Sequence, residues 1–180
     1  MQAGVAWNNC PDRKQSNPRD VMFAIRAATG ADVPIIRQLI RELAEYERLT
    51  HEAVVTESAL RETLFGPRPC AEVLIAESAG EVAGFALFFH NYSTFVGKPG
   101  LYIEDVFVRP QFRSRGLGTA FFRRMARIAV DRDCGRMEWA VLDWNEPALN
   151  FYRKIGAVPM SEWTVQRLVG DGLLRLASEP

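Results

Sequence analysis

The sequence is poor in the residues that build disulfide frameworks and metal centres. Three of its 180 residues are cysteines and two are histidines. Cys10, Cys70 and Cys134 are widely spaced, form no Cys-x-x-Cys pair and are odd in number. This pattern argues against a zinc site and against a disulfide framework, so we expect no bound metal. Free thiols are typical of a reducing compartment, and we expect a cytoplasmic protein.

Excess charge and long apolar runs are missing as well. The 22 Lys and Arg residues balance the 22 Asp and Glu residues, so the formal net charge is zero. A balanced chain has no long-range field to hold a polyanion, so we expect neither nucleic acid nor a membrane surface as a partner. No apolar run approaches the roughly 20 residues that a membrane span needs.

The N-terminal residues lack the pattern of a secretory leader. Residues 1–21 are polar and have no basic start followed by an apolar core. We expect them to form a flexible extension, followed by one domain over residues 22–180. The content of 48% hydrophobic and 24% charged residues is ordinary for a globular domain with a proper core.

The spacing of apolar residues predicts a mixed α/β chain, with hairpin-linked strands followed by a β-α-β unit. Helices are predicted after residue 32, over 57–65, after the glycines at 116 and 118, and over 148–155. Strands are predicted over residues 22–28, 72–78, 82–90, 102–108, 137–142 and 163–168, with residues 173–176 as a tail.

The most informative motif is Arg113-Ser-Arg-Gly-Leu-Gly118, between a predicted strand and a predicted helix. Backbone N–H groups at a helix N-terminus, with two guanidinium groups beside them, form an anion site that suits a pyrophosphate. The motif is not a P-loop, because Thr119 follows Gly118 without a lysine. It is not a dinucleotide fingerprint, because Phe121 occupies the place of the third glycine. A plain tight turn remains the alternative.

This loop resembles the acetyl-CoA pyrophosphate loop of the GNAT N-acetyltransferase superfamily, Arg/Gln-x-x-Gly-x-Gly/Ala. The segment Asn145-Glu-Pro-Ala-Leu-Asn-Phe-Tyr-Arg-Lys-Ile-Gly-Ala157 is similar to the element that continues the coenzyme site in that superfamily. Three more segments resemble the spermidine/spermine (diamine) N-acetyltransferase subfamily: Glu42-Leu-Ala-Glu-Tyr-Glu47, Tyr102-Ile-Glu-Asp-Val-Phe-Val108 and Asp143-Trp-Asn-Glu-Pro147. The resemblance implies a GNAT fold, with a mostly antiparallel central sheet that is splayed at the acetyl-CoA site and flanked by helices.

The resemblance also implies acetyl-CoA as the co-substrate. A strand at the splay would pair its backbone with the pantetheine arm, the glycine loop would hold the pyrophosphate, and the later helix would complete the site. The implied coenzyme-binding residues are Val106, Phe107, Val108, Arg113, Ser114, Arg115, Gly116, Leu117, Gly118, Thr119, Asn145, Ala148 and Tyr152.

Acetyl transfer to an amine needs a base, because an alkylammonium has a pKa of about 10.4, and it benefits from an acid for the leaving thiolate. Glu104 and Asp105 are charged residues in an otherwise apolar strand, where regular alternation would send their side chains to opposite faces. The resemblance makes Glu104 the base, through water, and gives Asp105 a part in binding the cationic substrate. It makes Tyr152 the general acid. The alternatives are solvent-facing acids and a tyrosine that packs in the core.

Tyr46 and Glu47 would line the acceptor entrance by the same resemblance, although a solvated helix end explains them equally well. We expect an N-acetyltransferase that acts on a primary amine of a diamine, a polyamine or an amino-acid side chain. A protein or peptide N-acetyltransferase and a non-catalytic acyl-CoA-binding module remain alternatives. A homodimer is also expected by resemblance, with the predicted strand over residues 163–168 as its contact.

Overall fold

The computed structural model describes residues 23–179 of the chain. The expected extension over residues 1–21, and the expected start of the domain at residue 22, lie outside the described residues. The chain divides into two compact units, one that ends at Ala140 and one that begins at Val141. The single domain over residues 22–180 stays a prediction.

The first unit carries a sheet and three helices in its described part, residues 23–140. Its strands are β1 (Ala24–Ala27), β2 (Glu72–Ser78), β3 (Glu81–Ser93), β4 (Lys98–Val108) and β5 (Arg136–Trp139). Its helices are α1 (Val33–Tyr46), α2 (Glu57–Phe65) and α3 (Leu117–Asp131). Short 3₁₀ turns lie at Gly30–Asp32 and Pro110–Phe112.

The strands follow chain order across the sheet, β1-β2-β3-β4-β5. The first three pairings are antiparallel and the last, β4 with β5, is parallel. The parallel pairing covers only Gly100–Ile103 opposite Arg136–Trp139. Beyond Ile103, β4 has β3 as its one strand partner within the described part of the chain. The expected α/β fold with a mostly antiparallel, splayed sheet is therefore confirmed.

Helices α1 and α2 pack on the sheet because their apolar residues recur at helical spacing. Ile36 and Leu39 of α1 are fully buried and belong to one core cluster with Ile75, Phe85 and Phe107. The latter three residues are cross-strand neighbours on β2, β3 and β4. This packing brings the end of α1, which carries Tyr46, to the sheet that holds the second half of β4.

The second unit contains α4 (Glu146–Lys154) and α5 (Gly170–Ser178) in its described part. The predicted strand over residues 163–168 is wrong, because no strand of the described chain pairs with it, and the predicted tail over 173–176 lies inside α5. Trp163 and Val165 are 70% and 80% exposed. Their alternation resembled a strand, but a strand needs a partner for its backbone N–H and C=O groups. Within residues 23–179, none of the helices combines the length and the apolar character that crossing a bilayer requires.

Candidate active site

A β-bulge lies at the centre of the predicted acceptor site. Asp105 pairs with Leu87 and Ile103 pairs with Phe88, so Glu104 is an extra residue with no partner of its own on β3. Bulges of this kind set two residues against one and interrupt the alternation of side chains. The expectation that Glu104 and Asp105 face opposite sides depended on that alternation, which the bulge interrupts, and it stays a prediction. Sequence spacing alone contains no signal for the bulge.

The bulge places Asp105 in an acidic cluster. Asp105 is largely buried, and this burial raises the pKa of its carboxyl to about 7, with smaller contributions from the negative charges of Glu104 and Glu47. Burial likewise raises the pKa of Glu47, which follows the last residue of α1. Two sequence segments predicted separately to bind substrate therefore meet in one place. Because the negative charges of Glu104 and Glu47 disfavour ionisation of Asp105, a cation bound beside it would stabilise its ionised form.

The acidic cluster is not arranged as a metal centre. Among residues 23–179 the structure holds no group of three or more His, Cys, Asp and Glu side chains that could bind a metal ion. The cluster instead combines negative charge with an aromatic ring, because the partly buried Tyr46 immediately precedes Glu47 in the sequence. This combination of charge and aromatic surface suits an organic cation.

Tyr46 is contacted by an arginine of the glycine loop. The Arg113 guanidinium carbon lies 4.6 Å from the centroid of the Tyr46 ring and 5.8 Å from that of Phe107. Arg113 Nε also donates a hydrogen bond of 2.9 Å to the Val108 carbonyl oxygen. The side chain predicted to hold a pyrophosphate is therefore directed, in this structure, toward β4 and the end of α1.

The backbone of the glycine loop has the geometry of an anion cradle. Ser114 and Gly116 have positive φ angles of 59° and 83°, and Gly116 is the residue that precedes α3. A non-glycine residue in this conformation is strained, and such residues concentrate at functional sites. No side chain caps the start of α3. The N–H groups of its first turn, from Leu117 to Thr119, thus have no partner within the helix and form the positive end of its dipole.

Residues 106–108 form the part of β4 that would pair with the pantetheine arm. Val106 pairs with Ala86 and Val108 pairs with Gly84 on β3. A Cβ atom on Gly84 would lie 2.2 Å from the Phe107 carbonyl oxygen, so only glycine permits the close approach of β3 to β4 at this point. Sequence reasoning missed Gly84, because a lone glycine in a strand shows no partner.

Sequence reasoning also missed a clamp that holds α1 in place. Arg109 Nε and Nη2 donate hydrogen bonds of 2.8 and 2.7 Å to the two carboxylate oxygens of Glu42, and Arg109 Nη1 donates one of 2.9 Å to the Val82 carbonyl oxygen. The Arg109 guanidinium holds the pKa of Glu42 below its usual range. The clamp ties the middle of α1 to β3 and β4, and so helps to fix where Tyr46 and Glu47 lie.

The remaining predicted residues belong to the second unit. The Asn145 side chain is buried and accepts a hydrogen bond of 3.3 Å from the Ala148 backbone N–H, which caps α4 as the Asn-Glu-Pro-Ala pattern predicts. Tyr152 lies in the last two turns of α4, with its ring centroid 5.6 Å from that of Phe151. Gly156 follows the helix with a φ angle of 86°, a conformation that favours glycine.

Comparison with known proteins agrees with these features. Residues 36–157 match the family described as Acetyltransferase (GNAT) family. The chain is 37% identical to L-ornithine N5-acetyltransferase of Arabidopsis thaliana, over 92% of this chain and 92% of that protein. It is 38% identical to thialysine N-epsilon-acetyltransferase of Mus musculus, over 85% of this chain and 96% of that protein. A solved integron cassette protein of V. cholerae has a TM-score of 0.74 and 25% identity, and covers 87% of this chain and 98% of its own.

The chain belongs to the GNAT acetyltransferase family, as its glycine loop and splayed sheet indicated. It is an acyl-CoA-dependent N-acetyltransferase. The family expected from the sequence is thereby confirmed.

Proposed function

We propose that the enzyme transfers the acetyl group of acetyl-CoA to the side-chain amine of a basic amino acid, or to one end of a diamine. The observation that carries this proposal is the cluster of Glu47, Glu104 and Asp105, which suits an acceptor with two positive charges. The two relatives named above give further support, since both names specify an amino acid acetylated on a side-chain nitrogen. A monoamine would leave part of this negative charge without a partner.

In the proposed reaction, the amine attacks the thioester carbonyl carbon directly. Glu104 is exposed and takes the proton of the ammonium group through water, which leaves a free lone pair on nitrogen. Asp105 and Glu47 hold the cation. The new C–N bond forms as the C–S bond breaks, and Tyr152 donates its hydroxyl proton to the leaving thiolate. The second proton that the nitrogen loses as the amide forms returns to the Tyr152 oxygen through solvent.

The first unit supplies most of the groups for acetyl-CoA in this proposal. The backbone of residues 106–108 pairs with the pantetheine arm along the free edge of β4, and one of its N–H groups polarises the thioester oxygen. The pyrophosphate binds at the start of α3, to Arg115 and to the backbone of residues 113–119. Asn145, which caps the start of α4, and Ala148 in its first turn also contribute.

We further propose a homodimer in the cytoplasm. A run of apolar side chains in the second unit is exposed: Val158, Met160, Trp163, Val165, Leu168, Val169, Leu173, Leu174 and Leu176. A second copy of the chain is the occupant that the subfamily resemblance favours for this surface. Cys70 and Cys134 are free thiols, which suits a reducing compartment.

The acceptor is identified by a panel of amines incubated with the enzyme and acetyl-CoA, with thiol release as the signal. The panel holds ornithine, a lysine analogue, putrescine, spermidine, a monoamine and a lysine-containing peptide. We expect the fastest release with the basic amino acids or diamines. Turnover with the peptide alone would contradict the proposal, and acetyl-CoA binding without any thiol release would favour a non-catalytic module.

A further inference from the structure

The side chain of Arg113 makes contacts that a pyrophosphate ligand does not need. Its Nε donates to the Val108 carbonyl oxygen at 2.9 Å, and its guanidinium carbon lies 4.6 Å from the Tyr46 ring centroid. None of the ion pairs of the described residues includes Arg113. The positive charge is therefore directed to a ring face and a carbonyl oxygen, and not to a carboxylate.

The same contacts explain how an arginine is tolerated near a site for cations. Burial raises the pKa of the Glu47 carboxyl, which adjoins Tyr46 in sequence. Burial, and to a lesser extent the negative charges of Glu104 and Glu47, raise the pKa of the Asp105 carboxyl. Arg113 thus touches the tyrosine of the acceptor side, and none of the ion pairs of the described residues joins it to Glu47, Glu104 or Asp105.

We propose that Arg113 is a positioning residue that holds the Tyr46 ring at the amine entrance and links the coenzyme loop to the acceptor site. The link is direct, because the two side chains touch. Arg113 is the first residue of the loop Arg113-Ser-Arg-Gly-Leu-Gly118, and Tyr46 is the last residue of α1. Amine affinity then depends on a residue of the coenzyme loop. This inference rests on the proposed function, because it assigns Tyr46 to the acceptor.

The chemistry of the contact requires arginine. A planar guanidinium can lie over a ring while its Nε–H donates in the plane of the group, whereas the lysine ammonium is a point charge with no face. Arg113→Lys should therefore behave like Arg113→Gln, although it keeps the positive charge. Tyr46→Phe keeps the ring face and should retain the contact, whereas Tyr46→Leu should lose it.

The test is a double-mutant cycle of Arg113→Gln and Tyr46→Leu, with steady-state kinetics for the amine at saturating acetyl-CoA for each variant. Each single variant should raise the amine KM roughly five- to tenfold. The amine KM of the double variant should not exceed that of the single variant with the higher KM, because both changes remove the same contact. Arg113→Lys should match Arg113→Gln, and Tyr46→Phe should keep a KM near that of the wild type.

Arg115→Gln is the matched control, since Arg115 lies in the same loop but its guanidinium is near Phe112, at 5.8 Å from the ring centroid. Its effect should add to that of Tyr46→Leu. The cycle is repeated by urea unfolding, which needs no substrate. An unreactive wild type would contradict the proposed function, while the unfolding cycle would still decide whether the two side chains are coupled. Additive effects of Arg113→Gln and Tyr46→Leu in unfolding, or an amine KM that Arg113→Gln leaves unchanged, would overturn the inference.

Discussion

At the scale of single residues, Asp105 is the most informative position. The pKa of its carboxyl is raised to about 7, because the side chain is buried and lies near the negative charges of Glu104 and Glu47. In the native protein it binds a proton up to about pH 7, whereas in an unfolded chain it would release that proton near pH 3.8. The ionised form that would hold a substrate cation is therefore also the form that destabilises the empty protein.

We predict that Asp105→Asn stabilises the protein at alkaline pH and impairs the enzyme. Because the pKa of Asp105 is raised on folding, the native state binds more protons than the unfolded state between about pH 4 and pH 7, and stability falls as pH rises through that window. The stability of the Asp105→Asn variant should not fall as the pH rises through this window. Urea unfolding at pH 5 and pH 8 measures it, with Asp131→Asn on the exposed end of α3 as the control.

The same variant should lower kcat/KM for a dicationic amine, by roughly ten- to a hundredfold, since it removes one of the anions in the site. Equal stability of the variant and the wild type at pH 8, together with an unchanged kcat/KM, would remove Asp105 from the acceptor site.

Tyr152 gives the second prediction at this scale. Tyr152→Phe removes the hydroxyl proton proposed for the leaving thiolate but keeps the ring, which contacts Phe151. We expect kcat to fall by about a hundredfold or more, the range of general acid catalysis, while acetyl-CoA affinity changes little. Stopped-assay kinetics and calorimetric titration with acetyl-CoA separate the two quantities. Leu149→Met on the same helix is a packing control, and a wild-type kcat in Tyr152→Phe would disprove the acid assignment.

At the scale of elements, the Arg109 clamp decides where α1 lies on the sheet. The paired side chains are mostly shielded, with exposures of 16% for Arg109 and 28% for Glu42. Removing one partner leaves the other partly buried without its hydrogen bonds. In the proposed function, the clamp therefore joins stability to substrate binding, because the end of α1 carries Tyr46 and Glu47.

We predict that Arg109→Met costs about 2 kcal/mol of unfolding free energy and raises the amine KM. The cost should be smaller at low pH, because the pKa of Glu42 is lowered in the native state and its pairing is lost as Glu42 becomes protonated. The control is Glu77→Gln, which breaks the exposed pair with Arg26 and should cost under about 1 kcal/mol. An effect of Arg109→Met no larger than that of Glu77→Gln would show that the clamp is not structural.

The elements also show what the sequence could predict. Helix α2 runs over Glu57–Phe65 as predicted, because Thr56 caps its start and Gly66 ends it, and both signals are local. Strands β3 and β4 are longer than predicted, since polar residues such as Asn91 pair across the hairpin where apolar alternation has ended. The bulge at Glu104 depends on the register of two strands. The strand expected at 163–168 depended on a partner that the described chain does not supply.

The candidate site divides in the same way. The glycine loop and the Asn145 cap follow from local motifs, and the structure forms both. The meeting of Glu47 with Asp105, the contact of Arg113 with Tyr46 and the Arg109–Glu42 clamp each join residues more than 50 positions apart. Such pairings arise from packing, which a single sequence does not display.

At the scale of the whole molecule, the exposed apolar side chains of the second unit predict self-association. The largest of these side chains, Trp163, is 70% exposed. We expect sedimentation velocity to give twice the chain mass of 20.3 kDa at micromolar concentration, and Trp163→Arg to shift the protein toward the single-chain mass. Glu162→Arg is the control for added charge at the neighbouring position. A wild type that stays at 20.3 kDa would refute the proposed dimer.

The overall charge of the chain also matters for substrate choice. The net charge is zero, so the enzyme has no long-range field that gathers cations. In the proposed function, selection of the acceptor therefore comes from the local acidic cluster around Asp105. Discrimination should then depend on a second positive charge within the acceptor, and should persist at salt concentrations that screen long-range attraction.

The most direct test compares kcat/KM for ornithine with that for 5-aminopentanoate, the matched compound that lacks the second ammonium group. The proposed acceptor site predicts that wild-type enzyme prefers ornithine by at least about tenfold at 0.15 M salt, and that Asp105→Asn reduces this preference. Equal kcat/KM values for the two amines in the wild type would contradict it.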